Sequence, residues 1–262
     1  MWIFIGYGVI LAAVFGGFVL GGGHMAALFQ PLELLTIGGA AAGAFVVGNG
    51  LKVTKQALGA IPSLMKASKF SKEFNLDVLS LIYDFGVKAR KNGLMSLEKD
   101  ADYPEESDIF KAYPRVAAVP FVVEFITDYL RVMVSGNMES HELEALMDEE
   151  IETFQEAGEV PVKAVQATAD ALPGFGIVAA VMGVVHTMES IGLPPEELGM
   201  LIARALVGTF LGILLAYGFV APIATLMEHR LNESIKTLQC LKISLLQLNS
   251  GALPTIAVEF GR

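Results

Sequence analysis

The sequence predicts an all-α membrane protein: four transmembrane helices, a large helical cytoplasmic domain between helices 2 and 3, and a helical C-terminal tail. Three observations predict it. Four long runs, at 2–20, 34–51, 171–191 and 198–227, are almost free of charge. The composition is 53% hydrophobic and only 18% charged, with a mean hydropathy of +0.56, whereas about a quarter of residues are charged in an ordinary soluble domain. The cations are also segregated. Of the 18 Lys and Arg residues, 13 fall within 52–170 and four after Met227, while the turns at 21–33 and 189–199 hold none. By the positive-inside rule the long loop and the tail are cytoplasmic. The implied organisation is a hairpin at 1–51, a cytoplasmic domain at 52–170, a second hairpin at 171–227 and a tail at 228–262.

The first run is 19 residues without a charge, long enough to span ~30 Å of hydrocarbon. Gly21-Gly22-Gly23-His24 ends it, and a turn past Pro31 and Glu33 leads to the second run, rich in Gly and Ala. Gly39 and Gly43 stand four apart there, the spacing of close helix packing, and tight packing in a hairpin accounts for them. From Lys52 to Lys72 five lysines precede Glu73, the first acid of the loop, so this stretch is expected to ride on the lipid surface.

Phe74, Val78, Leu81, Ile82 and Phe85 then recur at helical spacing up to Asn92-Gly93, a helix stop. Lys88, Arg90 and Lys91 crowd the end of that helix and Glu98 follows. Cations there favour the helix dipole, so on residue chemistry alone capping and a solvated face are the preferred explanation over a docking surface. Residues 116–134 imitate a fifth span, but Glu124, Asp128 and Arg131 form one polar stripe. Three charges in lipid are costly, which makes this a core helix of the cytoplasmic domain. Residues 139–159 hold nine acids and no Lys or Arg, with Leu143, Met147, Ile151 and Phe154 on one stripe: an amphipathic helix with a solvated acidic face.

In the third run Pro173 stands beside Gly174 and Gly176. Proline suits the first turn of a helix or else kinks it by freeing a carbonyl, and in lipid that carbonyl needs a partner. The fourth run carries Gly208, Gly212 and Ala216 at four-residue steps, hydroxyls on Thr209 and Tyr217, and Pro222 near its inner end.

The chain excludes several classes of function. A net charge of −10 and a pI near 4.9 argue against nucleic acid. Cys240 is the only cysteine, so no internal disulfide forms. The first lysine is Lys52, and no secretory signal is expected. The four histidines are too scattered for a metal site, no phosphate-binding loop is present, and no catalytic constellation points to an enzyme. Ion-driven membrane proteins place a carboxylate at depth, yet Glu33, Asp170 and Glu189 all sit at the edges of runs. Any titrating carboxylate is therefore expected from another chain.

The runs DALPGFGIVAAVMGVV at 170–185 and ALVGTFLGILLAYGFVAPIA at 205–224, with YDFGVKARKNGLMSLE at 83–98 and the terminal PTIAVEFGR, closely resemble the MotA-type stator proteins of flagellar motors, within the MotA/TolQ/ExbB proton channel superfamily. The resemblance covers essentially the whole chain. It implies a homopentamer in the bacterial inner membrane around two copies of a MotB-like, peptidoglycan-anchored partner that carries the ion-binding aspartate. It also implies contact of the cytoplasmic domain with the rotor protein FliG, through Arg90 and Glu98 with Lys88 and Lys91 beside them. Pro173, Ala180, Thr209, Tyr217 and Pro222 would face the ion path or the partner. Sodium-type relatives carry threonine in place of Ala180 as well as at Thr209, and the alanine here removes an oxygen ligand of the kind a hard cation prefers. Protons are thus the expected coupling ion, with no other cofactor. An ExbB/TolQ-like energiser of an outer-membrane process is the alternative within the superfamily. A self-contained ion channel or transporter is the alternative outside it, disfavoured by the missing carboxylate.

Overall fold

A computed structural model describes residues 2–262 except 137, 190, 191 and 193, so the last two residues of the expected 171–191 span lie outside it. Among the described residues there are helices and no strand, and four helical stretches are long and apolar enough to cross a membrane. The chain forms two compact units, Met1–Ala67 with Glu159–His229, and Ser68–Gly158 with Arg230–Arg262.

In the first unit, α1 (Trp2–Leu20) is apolar all round and buries none of its residues, as expected of a helix whose solvent is lipid. Two of its aromatic side chains tie it to the chain: Tyr7 stacks on Phe219 and donates from Oη to the Phe219 carbonyl at 2.9 Å, while Phe15 meets Phe210 edge-on. A short α2 (Met25–Leu28) leads to α3 (Pro31–Leu64), which Pro31 opens without losing an intrahelical bond. α3 is broken at Gly50, whose φ of 64° and ψ of 177° only glycine adopts readily. The break falls where the apolar run gives way to Lys52.

The glycines of α3 do not do what their spacing suggests. A Cβ on Gly39 or Gly43 would meet nothing of this chain within 4 Å, and the inward face is carried by Ile37 and Ala41 instead. Four-residue spacing names a face but not what covers it. The stripe in α10 (Pro195–Ile213) is covered, by α9 (Ser140–Glu189).

α9 joins what the sequence suggests as two elements. The acidic amphipathic stretch and the third apolar run are one 50-residue helix, with Pro161 and Pro173 both in its interior. Pro173 is thus not a helix start, and it withholds the N–H that the Ala169 carbonyl would accept. Past α10 the helix widens to i→i−5 spacing over Leu214–Val220, with Ala221 N donating to the Ala216 carbonyl, before α11 (Ala221–Asn249) resumes. Pro222 has no N–H to offer in the next turn, and the widened segment directly precedes it.

The second unit packs α4 (Lys72–Asn92), α5 (Glu98–Asp102), α6 (Asp108–Ala112), α7 (Pro114–Ala117) and α8 (Pro120–Ser135) with the start of α9, the end of α11 and α12 (Pro254–Gly261). Its core joins Phe74, Val78, Leu81, Ile82 and Phe85 of α4 to Phe125, Ile126 and Tyr129 of α8, Leu143 and Met147 of α9, and Leu241 and Leu245 of α11. α8 is the false fifth span, and its polar stripe stays outside. Arg131 bonds Asp128 at 2.6 Å, Asp102 at 3.1 Å and the Ala101 carbonyl at 2.6 Å. The acidic face of α9 is less free than its composition implies. Glu150 accepts from Tyr129 at 2.6 Å, and Lys242 pairs with Asp148 and Glu144 at 2.8 and 3.6 Å.

Candidate functional site

The residues singled out by sequence fall into two neighbourhoods, one in each unit. The first is the seam between α9 and α10. A Cβ on Gly212 would lie 2.8 Å from the Gly176 Cα and 2.8 Å from the Leu172 carbonyl oxygen, and one on Gly176 would lie 2.9 Å from the Gly208 oxygen. These contacts are backbone against backbone, so only glycine permits them, and van der Waals contact of this kind holds helices together where lipid removes the hydrophobic drive. Pro173 is half-buried, one residue from this contact through Leu172. Ala180 lies opposite: its backbone nitrogen is 3.0 Å from where a Gly208 Cβ would be, and the half-buried Thr209 is the next residue.

Tyr217 and Pro222 are exposed and share a different place, an open cleft of about 540 Å³ also lined by Thr225 and His229. The structure therefore brings Ala180 and Thr209 together at the seam, with Pro173 beside it, and leaves Tyr217 and Pro222 around the cleft. Sequence reasoning missed one participant. Glu33 sits at the first turn of α3, where the spacing puts it, but its carboxylate folds over the seam, 3.2 Å from where a Gly208 Cβ would stand and 3.7 Å from that of Gly183. It has no hydrogen-bond or ion-pair partner among the described residues.

The second neighbourhood is the end of α4. Ser71 caps the start of that helix through Phe74 N, and Arg90 and Lys91 occupy its last turn, where the dipole favours cations. Gly93, with φ at 84°, turns the chain into a 3₁₀ turn at Leu94–Leu97, and Glu98 opens α5. Arg90, Lys91 and Glu98 are exposed and have no ion-pair partner among the described residues. Lys88 is different. Its Nζ turns inward to Asp100 Oδ2 at 2.5 Å, and Ser107 Oγ donates to Asp100 Oδ1 at 2.6 Å. The Asp100 side chain is 7% exposed. Neither partner was marked by the sequence, because nothing local distinguishes an aspartate that will face a lysine twelve positions away. Ser107 carried a weak signal as a helix cap, which it supplies to α6 through Phe110 N. Met95, 65% exposed between Arg90 and Glu98, is an apolar tip that charge patterning passes over.

Further back along α4 a carboxylate is tied down. Tyr113 donates to Asp84 at 2.8 Å, and burial together with that carboxylate pushes its hydroxyl up to about 12. Burial likewise pushes the Cys240 thiol of α11 up to about 11. Only the thiolate attacks electrophiles, so at pH 8 the native protein should react with Ellman's reagent about a hundredfold more slowly than the urea-unfolded chain. Equal rates, followed by absorbance, would show an open thiol.

Residues 4–93 match the family model for the motility protein A N-terminal region, and residues 121–240 match that of the MotA/TolQ/ExbB proton channel family. The chain is 53% identical to motility protein A of Salmonella typhimurium over 262 residues, covering all of this chain and 89% of that protein. It is 51% identical to motility protein A of Escherichia coli over the same shares. Among solved structures it is similar to C. jejuni MotAB, with a TM-score of 0.80 at 20% identity over 97% of this chain and 91% of that one. It is equally similar to the flagellar MotAB stator complex from Bacillus subtilis, with a TM-score of 0.80 at 22% identity over 98% of this chain and 92% of that one.

Proposed function

This chain belongs to the motility protein A family, and we propose that it is a stator subunit of a bacterial flagellar motor, coupling inward proton flow to torque on the rotor. The observation that carries the reading is similarity to motility protein A along the entire chain. Both the N-terminal and the channel portions match their family models, which favours a motility protein over an ExbB/TolQ-like energiser. Two solved structures that share its fold are MotAB complexes, which supports a MotB-like, peptidoglycan-anchored partner. Five copies around two such partners, in the bacterial inner membrane, is the assembly this reading adopts, with residues 52–170 and the tail in the cytoplasm.

In this reading the seam of α9 and α10 backs the ion path, and the partner donates the titrating carboxylate. Pro173, Ala180 and Thr209 shape its surroundings, and Tyr217 and Pro222 lie toward the cytoplasmic end. Ala180 offers no oxygen, which favours protons over sodium as the coupling ion. The available drive is about 2.3 kcal/mol per charge per 100 mV of potential. Arg90 and Glu98, exposed and without an ion-pair partner among the described residues, then meet, with Lys91, complementary charges on the rotor protein FliG. Charged rims of this kind steer and register a contact more than they tighten it.

Complementation tests the reading. Expressed with its partner in a stator-null strain, the chain should restore swimming in sodium-free medium, and a protonophore should stop it. Absence of swimming in cells that accumulate the complex would overturn it. So would strong ion flux in vesicles that hold this chain alone, since that would place the ion site within it.

A further inference from the structure

We propose that Lys88, Asp100 and Ser107 form an internal strut that holds Arg90 and Glu98 outward at a fixed spacing, making Lys88 a positioning residue and not a contact to the rotor. The proposal rests on the rotor-facing role of Arg90 and Glu98 given above. Its basis is a symmetry in the sequence that the structure makes physical. Lys88 precedes Arg90 by two residues, and Asp100 follows Glu98 by two. A helix turns about 100° per residue, so two residues carry a side chain to nearly the opposite face. Pinning Lys88 to Asp100 on the inside therefore turns Arg90 and Glu98 outward on both helices together. Exposure follows this pattern: the Asp100 side chain is 7% exposed and that of Lys88 33%, while Arg90 and Glu98 are exposed.

The joint is built on both sides. Lys88 holds Asp100 Oδ2 at 2.5 Å, and Ser107 holds Oδ1 at 2.6 Å while accepting from Phe110 N at 3.3 Å, which fastens the carboxylate to the start of α6. The intervening chain reverses at Gly93, and Ser96 Oγ closes the turn on the Gly93 carbonyl at 2.7 Å. Arg90 and Glu98 thus flank a turn that is clamped between two helices. Removing Lys88 leaves a buried carboxylate without its counter-charge, the costly way to break such a pair, whereas removing both charges is far milder. Coupling between the two positions is the signature.

The test uses the full stator with its partner in a stator-null strain. Lys88→Met and Asp100→Asn should each cut swimming speed at least threefold, with membrane levels and partner co-purification unchanged. The double variant Lys88→Met/Asp100→Asn should recover much of the Lys88→Met loss, and Lys88→Arg should swim nearly normally. Additive losses in the double variant would overturn the proposal. So would rescue of Lys88→Glu by a charge reversal on the rotor protein, because that would make Lys88 a direct contact. Spin labels at Lys91→Cys and Lys99→Cys in a Cys240→Ser background read the geometry without motility. Their distance distribution should be narrow with Lys88 present and at least twice as broad in Lys88→Met, and an unchanged width would overturn the strut. If Asp100→Asn does not accumulate, Ser107→Ala takes its place, with a smaller broadening expected and an unchanged width again counting against the strut. If Arg90→Glu swims normally, the rotor-facing reading fails, while the label distances still decide the strut.

Discussion

Gly212→Leu is expected to remove the stator from the membrane fraction and abolish swimming. The site has no slack. A Cβ on Gly212 would stand 2.8 Å from the Gly176 Cα, 2.8 Å from the Leu172 oxygen and 3.1 Å from the Gly176 nitrogen. All three are backbone atoms, so no rotamer change relieves the clash, and α9 and α10 must separate. Overpacking a core with flexible neighbours costs about 1–3 kcal/mol, and a rigid backbone neighbour puts this case at or beyond the upper end. Separation also forfeits the close contact on which helix association in lipid depends. Gly39→Leu is the control, since a Cβ there meets nothing of this chain within 4 Å. Immunoblots of membranes and thermal unfolding of the purified complex read both variants. Normal levels and stability of Gly212→Leu would mean that the two helices are not held along this line.

Pro173→Ala should do the reverse, keeping the protein and losing its work. Pro173 lies inside a 50-residue helix, where it withholds one hydrogen bond from the Ala169 carbonyl. Alanine restores that bond and is the better helix former by about 3 kcal/mol. The helix should become more stable along the turn that holds Leu172 and Gly176. We expect at least a tenfold loss of swimming with unchanged partner co-purification and an unfolding temperature equal to or above that of the unaltered chain. Lost function at undiminished stability separates a shape requirement from simple damage. Swimming at the normal rate would show that the bond withheld at Pro173 has no mechanical role.

The sequence announces the parts of this molecule that depend on counting. Runs without charge mark the four apolar helices, and Glu124, Asp128 and Arg131 suffice to keep α8 out of that set. Local chemistry also marks the end of α4, where Asn92-Gly93 stops the helix and three cations crowd it. What stays hidden depends on a partner chosen in three dimensions. Gly39 and Gly212 stand in equal patterns, yet only Gly212 meets a backbone. Lys88 and Arg90 look alike in sequence, and only the fold gives Lys88 a buried aspartate. Glu33 is at an edge by backbone position, while its side chain reaches the seam. Pro173 permits a helix start or a kink, and the helix that runs through it on both sides excludes a start.

The tie between Tyr7 and Phe219 spans 212 positions of sequence, which sets a problem of timing. At synthesis rates of about 5–20 residues per second, α1 precedes its anchoring partner by roughly 10–40 s. During that interval α2 and α3 are made, but the aromatic partners of α1 are not. A helix that bore a charge or an unsatisfied amide would be expelled or captured by the wrong neighbour in such a wait. α1 carries no charge, satisfies its backbone along its own axis and needs no polar partner before Phe219 arrives. Its plainness is what allows it to be stored in lipid while the rest of the protein is still being made.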